Sequence, residues 1–230
     1  MLDAQFALNE GAGGELDGNG KPLALRIEAG EKVYQDFSLD TSDVGGHSSR
    51  PTRNNPIARL SAGIARLGAY DFPVALNEAT RGYFEAESKL VAPQVAADMR
   101  AVLAHPADEA AVDRLWAADP GWNGMLRTTC VATEISGGHA ANALPQHAHA
   151  NVNCRILPGV PIASVQAQIA HLLADDRITL APAGDPGIQS PPTAAFSTRT
   201  ASRPMACRAC STTPKAPTLT GSTSASGWCR

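Results

Sequence analysis

Four short clusters contain the residue types that chemistry needs. They are Asn9-Glu10-Gly11-Ala12-Gly13-Gly14, Gly45-Gly46-His47-Ser48-Ser49-Arg50-Pro51, the stretch from Gly137 to Pro145 with Asn142 inside it, and Asn151-Val152-Asn153-Cys154-Arg155-Ile156-Leu157-Pro158-Gly159. A glutamate among glycines has a plain reading as a solvated turn, and a histidine after Gly-Gly as a surface loop residue. Arg155 is more pointed. Period two places it on one strand face with His147, His149, Asn151 and Asn153, while Ala148, Ala150, Val152, Cys154 and Ile156 take the other. That polar face is either the solvent side of a half-buried antiparallel sheet or an anion-binding surface. In the second case a guanidinium fork pairs with a carboxylate, and His or Asn donates beside it.

The elements that must position these clusters follow from periodicity. Leu23, Leu25 and Ile27 alternate, and Val33 to Leu39 follows with Phe37 and Leu39 on one face, so both stretches read as strands. Asn55 supplies an N-cap and Pro56 a first-turn residue for a helix with Ile57, Leu60, Ile64 and Leu67 along one side. Residues 74–125, with Val91, Val95, Met99, Val102 and Leu103, read as a helical insertion broken by Pro and Gly. Thr129, Val131, Thr133 and Ile135 alternate, as do Ala148 through Ile156, giving two antiparallel strands. Ile162, Val165, Ile169, Leu172 and Leu173 mark a second helix, and Ile178 with Leu180 a last strand. The order β-α-β-β-α-β from Val33 to Ala181 predicts an α+β fold of the split βαβ, ferredoxin-like kind. In it a four-stranded antiparallel sheet carries two helices on one face. Topology alone names no function.

Composition sets the limits. The chain has 230 residues, 43% of them hydrophobic, enough for a globular core, and a net charge of −3. The charge is unevenly spread: up to Pro192 the acids exceed the bases by eight, whereas Thr193 to Arg230 holds no acid and five bases. Three of the five cysteines lie in that last segment, where Cys207-Arg-Ala-Cys210 has the spacing of a metal knuckle or redox pair but no second pair beside it. Rich in Ser, Thr, Ala and Pro, residues 193–230 read as a disordered tail of shifted reading frame. No apolar run approaches the ~20 residues of a membrane span, and Met1-Leu2-Asp3 does not open a secretion signal, so the expectation is a cytoplasmic protein without a membrane partner. Nucleic acid is disfavoured as a partner by the acidic body and by 5% aromatic content, which leaves the strands without stacking residues.

Taken together and in order, ALNEGAGG, EKVYQDFSLDTSDVGGHSSRPTRNNPI and GGHAANALPQHAHANVNCRILPG resemble the dizinc metallopeptidase family of aminoacylases, carboxypeptidase S, glutamate carboxypeptidase and succinyl-diaminopimelate desuccinylase. The likeness covers about residues 3 to 192. It implies a homodimer whose α/β zinc-binding domain is interrupted by a split βαβ dimerisation domain, and two zinc ions that activate water against an amide carbonyl. By resemblance Glu10 is a carboxylate ligand to one zinc. His47 reaches into the partner's site and donates to the developing oxyanion, and Asn142 and Arg155 hold the terminal carboxylate of the substrate. The family's His-x-Asp segment, bridging aspartate and Glu-Glu pair belong upstream of Glu10, and its last zinc histidine belongs near the chain end; neither part has a counterpart here. The expected layout is therefore a catalytic-domain remnant at 1–32, the dimerisation domain at 33–181, a return at 182–192 and the tail at 193–230. The expected function is that of a fragment of a zinc hydrolase of N-acyl amino acids or dipeptides with a free carboxylate, inactive alone. The rival is a non-catalytic association module.

Overall fold

Alternation of apolar and polar residues along three long segments yields a sheet with one dry and one wet face. The computed structural model describes residues 13–27, 30–184 and 197–199. In chain order the elements are β1 (Gly14–Leu16), β2 (Pro22–Ile27), β3 (Val33–Ser42), β4 (Gly46–His47), α1 (Pro56–Gly68), α2 (Glu78–Glu87), α3 (Pro93–Ala104), α4 (Glu109–Ala118) and α5 (Pro120–Leu126). There follow β5 (Thr129–Gly137), β6 (Ala143–Leu144), β7 (His147–Ile156), α6 (Ile162–Leu173), β8 (Thr179–Ala183) and β9 (Ser197–Arg199). No helix among the described residues is long and apolar enough to cross a membrane.

The main sheet runs in the order β5-β7-β3-β8, and every pair in it is antiparallel. Its inner face carries Val33, Phe37 and Leu39 of β3 and Ala148, Ala150, Val152, Cys154 and Ile156 of β7, all buried. Leu60 and Leu67 of α1 and Val165, Ile169 and Leu173 of α6 close over that face as one core. Helix α1 starts where it does because Asn55 Oδ1 accepts from the Ile57 and Ala58 amides and Pro56 needs no donor partner. Gly63 brings α1 close to the second helix: a Cβ there would lie 2.9 Å from Leu173 Cδ2 and 3.1 Å from Ile178 Cδ1.

Helices α2 to α5 form a second core of their own around Phe84, Met99, Val102, Val112, Leu115 and Leu126. Lys32 clips it to the sheet. Its ammonium donates to the carbonyls of Gly124 and Arg127, both at 2.8 Å, and to Thr129 Oγ1 at 3.2 Å. Burial, with help from the nearby Arg155 charge, pushes the Lys32 pKa down to about 8.

Two sequence expectations change. Clean alternation from Thr129 to Ile135 fails, because the β5–β7 register shifts between Ala132 and Glu134. Thr129 and Val131 therefore share the outer face with Arg155 and Asn153, while Ile135 comes opposite Ala150 on the inner face. Ser197–Arg199, placed by composition in a disordered tail, pair antiparallel with β2. The rest of 193–230, including Cys207 and Cys210, lies outside the described residues.

Candidate functional site

At one end of the sheet, β4 and β6 form a two-residue ladder with Gly46 opposite Leu144 and His47 opposite Ala143. The Ser48 amide donates to the Asn142 carbonyl at 3.0 Å, so the sequence-predicted His47 and Asn142 belong to one loop cluster. Glycine is required at the entrance. Gly45 has φ +77°, and a Cβ on it would sit 2.6 Å from Gln146 Cγ. His47 is exposed, and its Nδ1 accepts the Ser49 amide at 3.1 Å. An amide N–H can only donate, so the neutral ring carries its proton on Nε2 and offers a donor outward.

Arg155 lies far from this cluster. It stands near the opposite end of β7 from His147, and eight residues of strand at ~3.3 Å each separate the two by roughly 26 Å. Within one chain Asn142 and Arg155 therefore stand toward opposite ends of the sheet. Around Arg155 the wet face is a network rather than bare solvent side. Tyr34 is its register partner on β3, and the guanidinium carbon lies 4.7 Å from the centre of the Tyr34 ring. The Tyr34 hydroxyl donates to Asp36 Oδ2 at 2.6 Å, and Asn153 and Asn151 donate to Asp36 Oδ1 at 2.8 and 3.3 Å. Burial raises the Asp36 pKa, but these hydrogen bonds and the Arg155 charge outweigh it and hold the carboxyl below its usual value. Further along the face, His149 Nδ1 is 2.8 Å from Asp40 Oδ1.

Sequence reasoning missed Tyr34 and Asp36, although both lie on the polar side of β3 by simple alternation. It also missed a disulfide between Cys130 and Cys154, directly opposite each other on β5 and β7. Counting each strand's faces separately gave no register, and register is what pairs these residues.

Glu10 lies outside the described residues. Among those described, no group of three or more His, Cys, Asp or Glu is arranged to hold a metal ion. These described residues do not fit a zinc centre.

Residues 29–178 match the peptidase dimerisation domain of the M20 family, and the chain belongs to that family. The N-fatty-acyl-amino acid synthase/hydrolase PM20D1 of Mus musculus is 32% identical over 165 residues, which are 70% of this chain and 31% of the relative. Its Homo sapiens counterpart is 29% identical over 159 residues, covering 69% of this chain and 31% of that protein. The "Probable carboxypeptidase S-like 2" of Dictyostelium discoideum is 28% identical over 164 residues, 71% of this chain and 30% of the relative. Among solved structures, the M20 family metallo-carboxypeptidase Sso-CP2 from Sulfolobus solfataricus aligns with a TM-score of 0.42 at 19% identity, covering 73% of this chain and 41% of that one. The chain spans about a third of the length of these curated relatives. The expected family, one of hydrolases, is thereby borne out, and the metallopeptidase class carries with it a metal cofactor for complete members.

Proposed function

We propose that this chain is the dimerisation-domain part of an M20 amidohydrolase whose substrates are N-acyl amino acids or dipeptides with a free carboxylate. The observation that carries this reading is the match of residues 29–178 to the dimerisation domain; the roles of His47, Asn142 and Arg155 in it rest on the resemblance of the motifs around them. The main sheet is then the split βαβ, ferredoxin-like unit of that domain. Its first, second, third and fourth strands are β3, β5, β7 and β8, in the spatial order second-third-first-fourth. Zinc belongs to the complete enzyme, held largely by residues beyond those described here.

That separation, roughly 26 Å along β7, would give a homodimer a chemical purpose. Among the described residues, strand β5 pairs only with β7 and its other edge is open, with Val131 58% and Ile135 59% exposed. Such an edge is ready to pair with a second copy. A two-fold that sets β5 antiparallel to its own copy brings the His47 and Asn142 end of one protomer to the same side as the Arg155 end of the other. In this arrangement Arg155 of one subunit grips the substrate carboxylate while the partner supplies His47 Nε2–H to the carbonyl oxygen. Fixed donors aimed at a developing oxyanion lower the barrier in acyl-transfer chemistry.

The open β5 edge equally favours a second reading, an association module without activity of its own. The test is binding and assembly together. Sedimentation velocity should show a dimer. Titration with N-acetyl-L-leucine and with its amide should favour the acid, and Arg155→Ala should erase that preference. Equal binding of acid and amide to the unaltered dimer would leave the association module as the better description.

A further inference from the structure

On the wet face of the sheet, Arg155 has an unusual freedom. Among the described residues its side chain makes no hydrogen bond and no ion pair, and its one contact of note is the ring of Tyr34. Yet a carboxylate is close by. Asp36 lies opposite Asn153, the next outward residue on the same strand, so Arg155 and Asp36 are diagonal neighbours across the β3–β7 ladder. Diagonal pairs of this kind are ~7–8 Å apart at the backbone, within reach of a long side chain. A free guanidinium beside a free carboxylate would be expected to close into a bidentate pair.

The Asp36 oxygens are not free. Oδ2 takes the Tyr34 hydroxyl, and Oδ1 takes the side-chain amides of Asn153 and Asn151. Three of a carboxylate's approximately four acceptor positions are filled, and the filling group on Oδ2 belongs to the ring that carries the guanidinium. A cation over a ring face keeps its N–H edge available, because the ring uses none of the five donors.

We propose that Tyr34 and Asp36 are positioning residues that hold Arg155 open as a receptor for an incoming carboxylate. The Tyr34 ring supports the guanidinium, and the Tyr34 hydroxyl, with Asn151 and Asn153, satisfies Asp36 so that it does not capture Arg155 for itself. The inference rests on the reading of Arg155 as a carboxylate receptor, but the state of Arg155 can be observed with no ligand present.

The experiment follows the Nε–H signal of Arg155 in the ¹⁵N-labelled full chain. Tyr34→Phe keeps the ring and releases Asp36 Oδ2, so the signal should move toward an ion-paired position. Adding Asp36→Asn removes the competing charge and should return it. Tyr34→Leu removes the ring as well, and Asp36→Asn should not restore the signal there. N-acetyl-L-leucine should bind Tyr34→Phe about fivefold more weakly, the scale on which an exposed ion pair competes, with recovery in the double variant. A Tyr34→Phe signal that stays in place, or that Asp36→Asn fails to return, overturns the proposal. Full restoration of Tyr34→Leu by Asp36→Asn would remove the ring from it. Indifference of the unaltered chain to acid versus amide overturns the carboxylate reading alone, since the ligand-free signals still judge how Arg155 is held. A loss of folding would not imitate the result, because rescue by removal of a second charge is no property of a destabilised sheet.

Discussion

The backbone amide of Ser49 donates to Nδ1 of His47 at 3.1 Å, and Ser49 Oγ lies 2.9 Å from the same nitrogen. This contact predicts the Nε2–H tautomer for the neutral ring. Long-range ¹H–¹⁵N spectra of the full chain check it. Ser49→Ala should leave the tautomer unchanged, because the backbone donor survives. A proton found on Nδ1 would remove His47 as an outward donor.

Gly45→Ala should disturb the same cluster from its entrance. The left-handed backbone at φ +77° and the 2.6 Å approach to Gln146 Cγ act together. The left-handed conformation alone costs a residue with a Cβ roughly 1–2 kcal/mol. Urea unfolding should show a loss of that order, with shift changes at His47, Ser48 and Asn142 and none at Arg155. Unchanged stability would mean that the loop rearranges freely.

Cys130 and Cys154 close a loop with a sequence separation of 24. Loop-closure entropy for that length gives ~3 kcal/mol of stabilisation, so the Cys130→Ser and Cys154→Ser pair should unfold at lower denaturant by about that amount. A disulfide persists in oxidising compartments and is rare in the cytoplasm, so this bond and the cytoplasmic expectation make opposite demands. Mapping the thiol state of both residues in freshly lysed cells decides between them.

Acid should loosen the α3–α4 pair through Asp98. Its carboxyl is buried and is held below the usual range chiefly by the hydrogen bonds from Arg114, at 3.0 and 2.7 Å to Oδ1. A depressed folded-state pKa means that the unfolded chain takes up its proton first as pH falls. The contribution is therefore whole above the unfolded value of ~3.9 and is lost as pH drops through the folded value. Stability from pH 7 to 5 should be flat in this respect, then fall more steeply in the unaltered chain than in Asp98→Asn. Parallel acid limbs for the two proteins would deny Asp98 that role.

On the proposed reading, in a complete enzyme carrying this domain, His47→Ala and Glu10→Ala subunits should each lose most of their activity and should complement each other when mixed. Loss of one oxyanion donor lowers kcat by about 10²–10³-fold, and the mixed dimer regains one working site. Activity that stays at the level of the separate mutants, with heterodimer demonstrated by mass, would confine His47 to its own subunit.

Local rules were legible in the chain from particular residues. Asn55 and Pro56 mark the start of α1, and the Asn55 cap bonds are present. Alternation in Val33–Ser42 and His147–Ile156 divides dry from wet faces, because side chains on a strand repeat every two residues whatever lies beside it. The motifs around His47, Asn142 and Arg155 pointed to the M20 family, which the match of residues 29–178 bears out.

What the chain alone left open depends on register and distance between segments far apart in sequence. Periodicity carries no record of which residue faces which across a ladder. It therefore could not place Tyr34 opposite Arg155, join Cys130 to Cys154, or foresee the shift between Ala132 and Glu134 that moves Ile135 to the other face of the sheet from Val131. Nor does motif order carry length. Asn142 and Arg155 are 13 positions apart in the sequence and look like neighbours on paper. An extended strand at ~3.3 Å per residue sets them at opposite ends of the sheet, a separation that only the tertiary structure decides, because it depends on how the segment between them is extended and paired.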